Sequence, residues 1–438
     1  MSYVCVRGFI ILLFVVLVSG CGSLDKKDLN TVTVWHWMSD RESVFQALAN
    51  RFENETHIKV KFELYAPSES YAQKVKAAAQ TDTLPDIFAV LGEKRDLASF
   101  IKSGAVADLT GALNKPEDGG TWKSQFFEKA LAVNEFLPDN EYGIKAGIYG
   151  VSIDVAAIQM LYNRKLYRKA GLDPDKPPQT WEEFLEHCKT LKENGIPCFV
   201  GYFGEIWAID ALASNYAMNL MGEDKYFKTF EGKVPYTDPD WVRVLSLFKE
   251  LADERILVDG AVTMVSKSAE QTFANERAAY TFNGSWCVHV YKGMNPDLDY
   301  GAMLPPRLSK EHPMKVWGGG ASSFVVNDQS FRRANAIQFL KWLTKEKQQS
   351  TLAAETENLP ANKKSLGKLS KVLAEFADDI RYTTHPNVFP VHEDPEVTVA
   401  LDKGIQSILI GEKTPEQIAQ AVQRVKEKVM KKSHQGQP

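Results

Sequence analysis

The chain has 438 residues, 44% of them hydrophobic and 25% charged, with a formal net charge of −4. That length exceeds one ordinary hydrophobic core, so two lobes are expected, and the composition is that of a globular protein. The slight acidity excludes the basic footprint that nucleic-acid binding requires.

The first residues read as a targeting segment. Arg7 supplies a positive start, and Phe9 through Val18 is almost wholly apolar but short for a membrane span. The run ends Leu17-Val18-Ser19-Gly20-Cys21, which resembles a bacterial lipobox. That resemblance implies cleavage after residue 20, lipidation of Cys21 and anchoring at the outer or periplasmic face of a membrane. Residues 1–21 are thus expected to be signal and lipobox, and 22–30 a polar tether. Such a location permits disulfides. Cys188, Cys198 and Cys287 remain, which allows at most one bridge within the chain. Cys188 falls on the apolar face of an expected helix and Cys198 begins the next strand, so these two are the candidates; two separate buried thiols are the alternative.

Thr31 to Trp37 alternates as a strand, and Val44, Leu48 and Phe52 recur at helical spacing after a cap at Ser39 or Asp40. Ile58, Val60, Phe62 and Leu64 alternate strictly. A helix over about Ser70 to Gln80 and a strand opening at Leu84-Pro85-Asp86-Ile87-Phe88 follow. The order β-α-β-α-β predicts a parallel sheet flanked by helices. Further on, Thr180 and Glu183 form a capping box for a helix carrying Trp181, Leu185, Cys188 and Leu191 on one face. Helical patterns over about Ile209–Leu220, Trp241–Ala252 and Ser268–Asn275 lead to Ala278–Tyr291, which reads as a strand broken by Asn283-Gly284 and followed by Trp286. Tyr300–Pro306 and Trp317–Val326 read as strands, with Gly318-Gly319-Gly320 in the latter, and Arg332–Leu343 as an amphipathic helix. Thr414-Pro415-Glu416-Gln417 caps a last helix.

Taken together, Phe282-Asn283-Gly284-Ser285-Trp286, Tyr149-Gly150-Val151, Leu84-Pro85-Asp86-Ile87 and the run Lys169-Ala170-Gly171-Leu172 to Thr180-Trp181-Glu182-Glu183-Phe184 resemble the extracellular solute-binding proteins of bacterial ABC sugar importers, the maltose-binding-protein-like family 1. Ser152 and Leu161 depart from the proline and tyrosine usual at the family's first crossover. The resemblance implies a two-lobe, type II periplasmic-binding-protein-like α/β fold, with mainly parallel sheets, three crossovers and the ligand between the lobes. The expected N-terminal lobe is 31–151 plus 281–330, and the C-terminal lobe 152–280 plus 331–438. It also implies a monomer that delivers a carbohydrate, preferably an oligosaccharide, to ABC permease subunits, without a cofactor.

Signatures of catalysis are poor: no nucleophile elbow, phosphate loop, zinc-protease motif or Cys-x-x-Cys occurs. A glycoside hydrolase needs only two carboxylates across a cleft and stays a remote alternative. Binding of glycerol phosphate or another anion is the nearer one. Sugar rings offer apolar faces to aromatic side chains and hydroxyls to carboxylates and amides. Trp37, Trp207, Trp286 and Trp317 are the aromatic candidates, and Asp40, Glu69, Asp86 and Asp154 the polar ones, each near an expected strand end or crossover. Packing or capping is the alternative for each. Trp181 and Trp241 sit on apolar stripes and are assigned to packing.

Overall fold

In the computed structural model, residues 30–90, 94–117, 119–367 and 369–435 are described. The signal segment, Cys21 and the tether as far as residue 29 lie outside the described residues.

The first sheet runs in the order Lys59–Leu64, Thr31–His36, Ile87–Val90, Ser323–Val326, Val151–Ser152. Its first three strands pair in parallel, and Ser323–Val326 returns antiparallel on Ile87–Val90. Val32 and Val34 point inward by the period of two, and Val60 and Phe62 match them in register. Helix Glu42–Thr56 covers this face with Val44, Phe45, Leu48 and Phe52; Phe45 stacks on Phe62 at 4.6 Å between ring centroids. Each such side chain contributes about 1.5–3 kcal/mol by burial. His57, at φ 60°, ends the helix in the left-handed region. Helices Arg333–Leu343 and Glu346–Thr356 pack on the same helix, and the Trp342 indole donates to Glu55 at 2.6 Å.

The second sheet is built around one ten-residue strand, Asp154–Asn163, buried along its whole length. Tyr280–Gly284, Tyr300–Met303, Val316–Gly320 and Leu359–Pro360 all pair antiparallel with it. Phe199–Val200 and Thr383–Thr384 extend the sheet in parallel at its two ends. This sheet is therefore mixed, because its central strand enters from the first sheet and its neighbours run against it. Helix Trp181–Glu193 carries the Thr180–Glu183 capping box, and Cys188 is bonded to Cys198, with Cα atoms 5.2 Å apart. Cys287 is a buried free thiol.

The sheet pairings divide the chain differently from the expected lobe boundaries. Tyr280–Gly284, Tyr300–Met303 and Val316–Gly320 belong to the second sheet, and Arg333–Thr356 to the first. After Tyr280–Gly284 and Ser285, Trp286 is the N-cap of helix Cys287–Met294. The chain passes between sheets at Ile153, at Ala321-Ser322 within the expected Trp317–Val326 strand, and after Leu359–Pro360. Helices Pro395–Leu409 and Pro415–Gln435 close the second sheet's outer layer against Pro239–Asp253.

Candidate functional site

Three glycines make the floor of the site. Gly318, Gly319 and Gly320 lie opposite Ala157, Ala156 and Val155. A Cβ on Gly318 would stand 2.3 Å from the Ala156 carbonyl oxygen, and one on Gly320 would stand 2.5 Å from that of Ala130. Side chains are excluded here, so bare backbone faces a cavity of about 250 Å³. Trp207, Trp286 and Trp317 wall this cavity, with Ile158, His385 and Pro386 between them.

Trp207 and Trp286 are held from outside the cavity. Trp207 sits in the first turn of helix Ile206–Phe230, and its Nε1 donates to Glu205 Oε2 at 2.8 Å. Glu205 Oε1 in turn accepts the Ser266 amide at 2.7 Å. The six-membered ring of Trp286 covers Gly284, where no Cβ interferes, and lies 6.2 Å from Trp207 between centroids. Trp317 projects from strand Val316–Gly320, and its buried Nε1 has no protein acceptor among the described residues. His385 adds a polar edge. Its Nδ1 accepts the Asn387 amide at 3.0 Å, so in the neutral ring the proton sits on Nε2. Burial and the charge of Lys94 lower its pKa to about 4, so the ring is neutral at physiological pH.

Of the residues singled out from the sequence, these three tryptophans share one cavity. Trp37 packs on Tyr71 with centroids 5.4 Å apart, and Asp40 is exposed beside Arg41; neither lines the cavity. Glu69 lies in helix Ser68–Gln80, and its side chain falls outside the described residues. Asp86 does not line this cavity either. It precedes strand Ile87–Val90, at the edge opposite Trp37, and is occupied by the Thr33 amide, the Ser330 hydroxyl and Arg332. Asp154 is likewise saturated: the Ser322 amide donates at 2.6 Å and Arg41 pairs with it at 2.6 Å. His385 carried no signal in the sequence, since the strand it follows has two residues.

A larger cavity of about 440 Å³ adjoins the first across Trp317 and Pro386, which line both. Its walls come from helices and loops around the two sheets: Lys94, Glu141 and Tyr142 beside the first, Asp210, Tyr236 and Trp241 beside the second. Trp241 is 1% exposed and donates to Thr229, so it packs as expected and also forms this wall. Among the described residues no helix is long and apolar enough to cross a membrane, and no cluster of His, Cys, Asp and Glu could hold a metal ion.

A family model for bacterial extracellular solute-binding proteins matches residues 47–383. The chain is 24% identical over 278 residues to the sn-glycerol-3-phosphate-binding periplasmic protein of Shigella flexneri serotype 5b, over 59% of this chain and 61% of that protein. It thus spans less than two thirds of that relative's length. It is 22% identical over 347 residues to the multiple sugar-binding protein of Streptococcus mutans serotype c, covering 75% of each. A solved chitin oligosaccharide binding protein superposes with a TM-score of 0.72 at 20% identity, over 91% of this chain and 98% of that one.

Proposed function

The chain belongs to the bacterial extracellular solute-binding proteins, and on that premise we propose that it captures a saccharide between its two lobes for an ABC importer. The observation that carries this reading is the cavity of three indoles over a glycine floor, with neither lysine nor arginine in its described lining. Indole faces match the C–H faces of a pyranose and lose little entropy, having only two χ angles. His385 Nε2 serves the hydroxyl rim. The larger cavity beyond Trp317 favours an oligosaccharide over a single ring. Binding alone is the role; closure of the lobes on the ligand would present the loaded form to permease subunits. We further propose that the protein acts as a monomer, tethered through lipid on Cys21. Replacing Cys21 with Ala tests the tether, which predicts loss of the acylated, membrane-bound form.

A phosphorylated polyol is the second reading, favoured by Lys129 and Lys315 in a smaller cavity beside Gly318. Both ammonium groups are occupied, however: Lys129 donates to the Arg381 carbonyl at 3.0 Å, and Lys315 pairs with Glu223 at 3.4 Å. A thermal-shift screen of neutral oligosaccharides against glycerol phosphate separates the readings. A ligand at 100 times Kd adds about 2.7 kcal/mol. Stabilisation by glycerol phosphate and by no saccharide would reverse the assignment.

A further inference from the structure

The larger cavity holds a carboxylate with nothing to pair it. Asp210, in helix Ile206–Phe230, lines the chamber, and Ser214 Oγ donates to its Oδ1 at 3.2 Å. That hydroxyl is itself held by Tyr226 at 3.0 Å. Asp402, from helix Pro395–Leu409, is fully buried within electrostatic reach of Asp210, and neither of its oxygens has a hydrogen-bond partner among the described residues. No cation of the described residues pairs with either. Burial raises both carboxyls, and Asp402, beside the charge of Asp210, the more. Asp402 is thus the member that holds its proton more firmly, and Asp210 the one that lines the chamber.

The other carboxylates lining the chamber are paired. Glu393 is taken by Lys426 at 2.7 Å and by the Tyr236 hydroxyl at 2.9 Å. Glu141 pairs with His392 at 2.8 Å. Lys94 and Arg95 stand on the first sheet's side, with the Lys94 amine over the Phe136 ring at 5.1 Å. On the second sheet's side Asp210 is left beside an aromatic wall of Tyr236 and Trp241, whose rings are 4.8 Å apart. A half-buried carboxylate without a cation is costly to desolvate further, and a charge-assisted donor relieves that cost more than a neutral hydroxyl does.

We propose that this chamber is a subsite for a protonated amino group on the saccharide, so that the protein takes amino-sugar oligosaccharides in preference to neutral ones. The inference rests on the saccharide reading above and specifies its substrate class. A ring seated among Trp207, Trp286 and Trp317 continues past Trp317, which lines both cavities, and places the next ring's ammonium against Asp210.

Calorimetric titration of the intact protein with two β-1,4-linked trimers, neutral cellotriose and the glucosamine trimer, tests this at neutral pH. The glucosamine trimer should bind at least tenfold more tightly. Asp210→Asn should erase that preference, bringing the affinities of the two trimers together, and Asp402→Asn should keep it, since Asp210 retains its charge. Equal or tighter binding of cellotriose by the parent protein overturns the inference and leaves the saccharide reading intact, as does a preference that survives Asp210→Asn in folded protein. If neither trimer, nor any other saccharide of the thermal-shift screen, binds, the saccharide reading itself fails and the subsite with it.

Discussion

The indole of Trp286 lies over Gly284, so closely that a Cβ built on the glycine would stand 2.0 Å from Cζ3 of the ring. The turn and the aromatic wall of the site are therefore one unit. Gly284 is the last residue of a buried strand, and its φ lies outside the left-handed region. Its glycine is required by the ring and not by the backbone.

Gly284→Ala should consequently act as a binding mutation. The methyl must push the indole aside, and saccharide affinity should fall about tenfold, which corresponds to about 1.4 kcal/mol. Titration calorimetry checks this, with Gly293→Ala, where nothing lies within 4 Å, as the silent control.

Asp154 and Arg41 join the two sheets through an ion pair in which their side chains are 4% and 7% exposed. Removing one partner leaves a buried charge uncompensated, at a cost of about 3–5 kcal/mol. Asp154→Ala should lower the urea midpoint accordingly and leave the affinity of folded protein nearly unchanged. A loss of affinity at unchanged stability would instead return Asp154 to the list of ligand contacts.

Acid should weaken the fold through two histidines. Burial, aided by Arg41 for His36 and by Lys94 for His385, lowers both from 6.5 to about 4. Between these values the unfolded chain binds more protons, so this contribution is complete above about pH 6.5 and is lost as pH falls towards 4. The raised Asp210–Asp402 pair acts with the opposite sign, so the informative quantity is a difference. The double variant His36→Asn, His385→Asn should gain stability relative to the parent as pH drops from 7 to 4.5, measured by thermal melts.

The Cys188–Cys198 bridge closes a loop with a sequence separation of 10. Restricting the unfolded chain this way is worth about 2–3 kcal/mol in the loop-entropy model. Cys188→Ala, Cys198→Ala should lower the melting temperature and leave binding intact; an unchanged melting temperature would remove the stabilising role.

Period and punctuation made much of the fold legible. Alternation at Val32 and Val34, the helical spacing of Val44, Leu48 and Phe52, and the Thr180–Glu183 box are local signals, and the structure forms elements there. Long-range pairing was not legible. Nothing local distinguishes Tyr300–Met303 joining Asp154–Asn163 from the same strand joining the first sheet, because both settings bury it. The break inside Trp317–Val326 was hidden similarly, since a strand that changes sheets at Ala321-Ser322 keeps its apolar run. For the site, Trp207, Trp286 and Trp317 stood out as aromatics near expected strand ends and loops, and all three line one cavity. Asp86 and Asp154 were not separable from ligand contacts because a carboxylate near a strand end reads alike whether it faces a ligand or pairs with an arginine, as both do here. His385 and Asp210 became visible only when distant segments met around Trp317.

The central claim is that three indoles grip a sugar, and Trp286→Ala tests it most directly. Losing a central aromatic anchor costs about 2 kcal/mol or more. Calorimetry with the best-bound saccharide of the thermal-shift screen should show at least a tenfold weaker Kd, with a melting temperature close to the parent's. The companion Trp122→Ala removes an indole that is 0% exposed in the first core, and should lower stability while folded protein binds normally. Unchanged affinity in folded Trp286→Ala protein would contradict the account and move the binding site elsewhere.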